Sequence, residues 1–222
     1  MLFLSALEKS TGSFEKAVET VGHLLNVNGR VLPASLTPTR LGLRHGTPPV
    51  TVMGEHIIDE PIALQKPYTF FLEPKAVINP KAKEAILEAD VIIIGPGTLS
   101  TSLIPVLLVD GMKETIAASK AKIVFNANLV QTPGQTDDFT VTDFVNEIEL
   151  YLPRPIDAIT FDSQPAAEIL LGDIGPSYRV HGAPLRSQTS ITATVGDPLV
   201  RSDIRHDINV LGDLLMEIIN TL

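Results

Sequence analysis

Apolar side chains recur along this chain with two different periods, and the switch between them marks its organisation. Phe14, Ala17, Val18, Val21, Leu24 and Leu25 fall at helical spacing, with Asn28-Gly29 as a stop. Short extended runs follow at 30–32, 40–44 and 50–53, with a turn at His45-Gly46. They predict a small β-hairpin extension near 30–58. Pro48-Pro49 place at least one of its strands at an edge, because proline cannot donate to a ladder.

From Tyr68 onward, strand-like and helix-like runs alternate. Residues 68–72 read as a strand. Asn79-Pro80 reads as an N-cap with proline in the first turn, ahead of a stripe of Ala82, Ala85, Ile86 and Ala89. Residues 91–94 are wholly apolar and β-branched, the pattern of a strand buried at the centre of a parallel sheet. A Gly95-Pro96-Gly97 turn leads to a helix carrying Leu103, Ile104, Leu107 and Leu108. Residues 122–125 are the next strand, 142–152 the next helix and 158–161 another strand. Such alternation predicts right-handed βαβ crossovers and a layered α/β/α fold with a mostly parallel sheet. The stretch 172–204 has no clear period and reads as loops with one or two short strands. Ile208, Leu211, Leu214, Leu215, Ile218 and Ile219 then form an amphipathic helix behind an Asp207 N-cap. No repeat or long linker divides the chain, so one α/β domain over 1–222 is expected.

Composition narrows the partners. Hydrophobic residues make up 44% of the chain, enough for a sizeable core. Seventeen Lys and Arg against 26 Asp and Glu give a net charge of −9, and the cations are scattered. No nucleic-acid partner is expected, since phosphate neutralisation supplies most of that affinity. The absence of cysteine excludes disulfides, thiolate metal sites and a cysteine nucleophile, and fits a reducing compartment. The apolar run 1–7 is too short for a membrane span and lacks the basic start of a signal peptide. A cytoplasmic protein without membrane insertion is therefore expected. Exposed strand edges around 40–53 leave room for a homodimer.

The densest chemistry follows the apolar strand at 91–94, where Gly95-Pro96-Gly97-Thr98-Leu99-Ser100-Thr101-Ser102 runs into a helix. Glycines allow a sharp turn and close approach of a ligand to the main chain. The N–H groups of the helix start favour an anion, and Thr98, Ser100, Thr101 and Ser102 offer further donors. Open α/β sheets bind ligands at this carboxyl edge. The same residues equally suit an ordinary βα turn with Ser and Thr caps, and the pattern is neither the Rossmann G-x-G-x-x-G nor the P-loop. One strand later, Asn126, Asn128 and the loop at 131–138 repeat the arrangement with amides, which can read a base or sugar hydroxyl or simply form a polar loop. Arg205 before the last helix suits either a phosphate clamp or a surface cation beside a capping Asp207. Asp137, Asp138 and Asp143 read as solvated loop carboxylates rather than a Mg²⁺ site, and the histidines show no metal-ligand spacing. No nucleophile–base constellation is evident, so neither catalytic residues nor a bound metal are expected.

The run 89–105, Ala-Asp-Val-Ile-Ile-Ile-Gly-Pro-Gly-Thr-Leu-Ser-Thr-Ser-Leu-Ile-Pro, resembles the signature of the gluconeogenesis-factor family. That family is related to the 2-phospho-L-lactate transferases of deazaflavin-coenzyme synthesis, the CofD-like proteins. Further matches fall in the same order: Gly29-Arg30-Val31-Leu32-Pro33-Ala34, Gly54-Glu55, Asn128-Leu129 with Pro133-Gly134, and Arg205-His206-Asp207. The resemblance implies a Rossmann-like fold and a nucleotide-type ligand, favouring a UDP-sugar such as UDP-N-acetylglucosamine. It also implies a regulatory role in cell shape and in growth on gluconeogenic carbon sources. The alternative it carries is a phosphate-ester transferase resembling 2-phospho-L-lactate transferase, with Mg²⁺ as cofactor. By position, Gly95, Gly97, Thr98, Thr101 and Ser102 would line the phosphate region, with Asn126 and Asn128 beside it and Arg205 reaching in from the last helix. The family's opening strand and glycine-rich loop have no counterpart here, which implies an incomplete first part of the fold and weak nucleotide binding by this chain alone. Gln135 stands where the family commonly has Glu, Phe144 where it commonly has His, and Ser100 where Tyr is frequent.

Overall fold

A computed structural model describes residues 2–60, 64, 66–129, 131–137, 139–162, 179–183, 186–188 and 204–222, the short segments at 179–183, 186–188 and 204–206 by their backbone. It opens with two helices, α1 (Leu2–Thr11) and α2 (Phe14–Leu24), packed against each other. Ser13 accepts from the Lys16 N–H and so caps α2. The chain then enters β1 (Arg40–His45) and β2 (Val50–Met53), passes through the one-turn α3 (Glu55–Ile58), and returns in β3 (Tyr68–Glu73). The three strands form an antiparallel sheet in the order β2-β1-β3. The expected hairpin is therefore present at 40–53, whereas 30–32 is not a strand. The strand expected at 68–72 also joins this small sheet rather than the parallel one. Its alternation explains why: Tyr68, Phe70 and Leu72 face the core, while Phe71 lies outward, over Gly42 and beneath the Arg44 guanidinium at 5.7 Å.

The parallel sheet begins after α4 (Pro80–Glu88), which Asn79 caps with Pro80 in the first turn as the sequence predicts. β4 (Val91–Ile94) is followed by a π-turn (Leu99–Leu103), α5 (Ile104–Leu107) and α6 (Met112–Ala118). Then come β5 (Lys122–Asn126), α7 (Val141–Glu149), β6 (Ala158–Asp162) and β7 (Arg179–Ala183). These strands pair in parallel in the order β4-β5-β6-β7, as βαβ crossovers require. β8 (Arg186–Gln188) and β9 (Ile204–His206) form a separate antiparallel pair, and α8 (Ile208–Thr221) follows with Asp207 as its N-cap.

Strand alternation divides the interior into two cores. Ile92, Ile94, Ile123, Phe125 and Ile159 face the larger one, which α4 to α7 and the antiparallel sheet cover. Val91, Val124 and Ala158 face the other way, against Ile218, Leu214 and Leu215 of α8. This gives the three layers expected from the sequence. Among the described residues β4 pairs with β5 alone, and Ile93 is 43% exposed. A strand with the composition of a sheet centre thus lies at an edge. No described helix is long and apolar enough to cross a membrane.

One carboxylate ties the sheet together from its amino end. Asp157, before β6, accepts from the Ile123 N–H at 2.8 Å and pairs with Lys122 and Arg154, each at 3.2 Å. Burial pulls this carboxyl upward, but the Ile123 N–H and the cations Lys122 and Arg154 outweigh it and hold it below the usual carboxylate range. A depressed pKa contributes stability above the unfolded value near 3.8, and that contribution is lost as pH falls through the folded value. Asp157→Asn is expected to cost about 1–2 kcal/mol at neutral pH, the range for a charge-assisted bond partly screened by solvent. Urea melts at neutral and strongly acidic pH check this, since wild type and variant should converge in acid.

Candidate ligand-binding site

The chain leaves β4 through a turn that only glycine permits at its first position. Gly95 has φ +85°, and a Cβ there would sit 2.8 Å from the Asn126 carbonyl oxygen at the end of β5. The backbones of two neighbouring strands therefore touch at the carboxyl edge of the sheet. Gly97 is enclosed from the other side: a Cβ would lie 3.1 Å from the Leu103 side chain and 3.2 Å from Ser102 Cβ. The turn folds back on the helix it starts.

That helix begins as a π-turn. The Thr98 carbonyl accepts from both Ser102 N–H (2.9 Å) and Leu103 N–H (3.1 Å), the second being an i→i−5 bond. The extra residue rotates the hydroxyl row away from where an α-helix would put it, a distortion frequent at functional sites. Ser100 and Thr101 are buried in consequence. Ser100 Oγ donates to Gln135 Oε1, and Thr101 Oγ1 donates to Asp59 Oδ1 at 3.2 Å. Ser102 is exposed beside Gly97, and Thr98 is half-buried.

Of the two asparagines, Asn128 belongs to the turn. Its Nδ2 donates to the Gly97 carbonyl at 2.9 Å, and its Oδ1 accepts from the Gly97 N–H at 3.4 Å. Gly97 and Asn128 are thus brought together as the strand alternation requires. Asn126 is buried and accepts from Thr160 Oγ1 at 2.7 Å, so its side chain joins β5 to β6. Arg205 lies on β9, opposite Ser187, and not in the last helix as expected; its side chain is outside the described residues. The structure brings Gly95, Gly97, Thr98, Ser102 and Asn128 to one solvent-facing turn and sends Ser100, Thr101 and Asn126 inward.

The carboxylates of the neighbouring loop serve its backbone. Asp137 accepts from the Gly134 N–H at 2.7 Å, and Asp143 accepts from the Thr140 N–H at 2.8 Å within the capping box of α7. Asp138 lies outside the described residues. Among the described residues no group of three or more His, Asp or Glu is placed to hold a metal ion.

Behind the π-turn, Tyr68 of β3 donates to Glu147 Oε2 of α7 at 2.9 Å, in a pocket that Ser100, Gln135 and Phe139 also line. Burial and the Glu147 charge raise the Tyr68 phenol well above its ordinary value and push Tyr151 up to about 12, so both remain protonated. Glu147 Oε1 is buried and has no hydrogen-bond partner among the described residues. Sequence reading missed this pair, whose members stand 79 positions apart with no motif joining them. It also missed the place of Gln135, for which its neutral side chain in an acidic loop was the available signal.

Residues 1–174 match the family described as 2-phospho-L-lactate transferase CofD. A Listeria innocua gluconeogenesis factor is 30% identical over 97% of this chain and 67% of its own length. A Thermotoga maritima protein, provisionally named a gluconeogenesis factor, is 32% identical over 98% of this chain and 71% of its own. A crystal structure of a Bacillus halodurans protein superposes with a TM-score of 0.79 and 26% identity, covering 97% of this chain and 70% of that one. A second structure of the same protein, described as a UPF0052 family member, gives 0.77. The chain therefore belongs to the CofD family, among its gluconeogenesis factors.

Proposed function

We propose that this chain binds a nucleotide sugar of the UDP type through the Gly95–Thr98 turn, and acts as a ligand-sensing regulator rather than an enzyme. The observation that carries the reading is the Gly97 amide. It belongs to a half-buried residue at the carboxyl edge of a parallel sheet, and its N–H is held by Asn128 at a long 3.4 Å. A phosphate oxygen is a stronger acceptor than a carboxamide and can take that N–H while Asn128 keeps its shorter bond to the Gly97 carbonyl. Thr98 and Ser102 stand beside it with hydroxyls to donate. Asn128 adds recognition without adding charge, which suits an anion approaching a chain of net charge −9. Arg205 remains a proposed second clamp on the phosphates. The Thr101 hydroxyl meets the Asp59 carboxylate, but Thr101 is buried inside the π-turn, so the reading places sensing before catalysis. As a gluconeogenesis factor, the chain would link the level of such a sugar to cell shape and to growth on gluconeogenic carbon sources in the cytoplasm.

The transferase reading rests on the family's description and requires a metal-assisted site. Thermal melts with millimolar UDP-N-acetylglucosamine separate the two. A rise of about 2–5 °C is expected for a ligand roughly ten-fold above its dissociation constant. A rise with GDP and Mg²⁺ alone would support the transferase instead. Asn128→Asp should abolish the UDP-sugar shift, because it sets a carboxylate against both the Gly97 carbonyl and the incoming phosphate. An unchanged shift in that variant would remove the turn from the site. Gly95→Ala should lower stability by about 2 kcal/mol or more, from its left-handed backbone and the carbonyl contact, as read by urea denaturation.

A further inference from the structure

Two hydroxyls of the π-turn that the sequence offers to a ligand are used otherwise. Ser100 is 3% exposed and donates to Gln135, itself 5% exposed. The same Gln135 carboxamide donates through Nε2 to the Ile58 carbonyl at 2.8 Å, in the last turn of α3. One residue on, Asp59 accepts from Thr101 of the π-turn at 3.2 Å. A single buried side chain thus spans the π-turn and α3, and a second bond beside it joins the same two segments. α3 sits against β1 and β2, and its outer face presents Ile57, 53% exposed. From the Gly95–Thr98 turn the chain runs two residues to Ser100, whose bonds through Gln135 end on α3, behind the exposed Ile57.

We propose that Gln135 is a positioning residue that clamps the π-turn to α3, so that occupancy of the Gly95–Thr98 turn is transmitted to the Ile57 face. The coupling rests on the binding function proposed above; the clamp itself does not. An amide is suited to the task because it must accept from Ser100 and donate to the Ile58 carbonyl at once. A carboxylate can do the first but not the second, and a protonated carboxyl can do both. Buried at this depth, an introduced glutamate would have its pKa raised, since burial disfavours the charged form. The role of Gln135 is therefore distinguishable from simple space-filling.

Hydrogen exchange followed by mass spectrometry on the intact chain tests this. In Gln135→Leu, which keeps the volume, peptides over 98–104 and 55–59 should exchange roughly tenfold faster, the scale of one or two lost buried hydrogen bonds. The β5 peptide should not change. No change at 98–104, or an equal increase throughout the chain, overturns the proposal. Gln135→Glu should behave as wild type in mild acid and as Gln135→Leu in alkali, after correction for intrinsic exchange; a pH-independent result also overturns it. Millimolar UDP-N-acetylglucosamine should protect both segments in wild type but only 98–104 in Gln135→Leu. Protection of 55–59 in that variant overturns the coupling. If the sugar nucleotide protects nothing in wild type, the binding function fails, and the coupling that rests on it falls too. The exchange of the free variants still decides whether Gln135 is the clamp.

Discussion

The near-contact of Gly95 with the Asn126 carbonyl governs the site. Because two strand ends meet at that point, the turn after β4 has no room for a side chain at its first residue. The backbone must leave in a left-handed conformation, and Gly97 is then carried back beneath Leu103 and beside Asn128. The Gly97–Asn128 pairing, the π-turn and the burial of Ser100 and Thr101 follow in sequence. Removing the contact would release none of these features singly, since each depends on the direction in which the chain departs from Ile94.

Much of the framework was legible because the signals were local. Asn79-Pro80 and Asp207 are caps whose chemistry is complete within three residues, and both cap helices as read. The apolar run at 91–94 and the alternation of strand-like with helix-like runs announced a parallel sheet. What was not legible depends on distance or on one residue of register. Strand 68–73 alternates as a half-covered strand does, but nothing local in it names 40–45 as its partner. α6 escaped because Met112, Thr115 and Ile116 give a seven-residue helix too little periodicity to recognise. The π-turn has no sequence signature, so a hydroxyl row read with an α-helical period faces the wrong way for Ser100 and Thr101.

Under the proposed function, an acidic chain would recognise an anion without a cluster of cations. Asn128 and Gln135, two neutral carboxamides, organise the turn from its outer and inner sides, and each satisfies a donor and an acceptor at once. Asp59, Asp137 and Asp143 are held by neighbouring donors. Family membership accords with this arrangement, since the matched residues 1–174 contain every part of the turn and its clamp.

The π-turn carries one residue more than an α-helical start would need, which makes the site sensitive to chain length in a way that composition does not capture. Conservative replacement of Ser100 or Thr101 alters one bond, whereas loss of a single residue from 99–103 would rewind the turn into α-helix. The following apolar positions, Ile104 and Leu107, would keep their faces, because a five-residue π-turn and a four-residue α-turn each close about one turn. Both would stay in the core they now fill, and the change would fall on the hydroxyl row alone. A one-residue deletion in the turn should therefore reshape this edge of the sheet while leaving the fold intact.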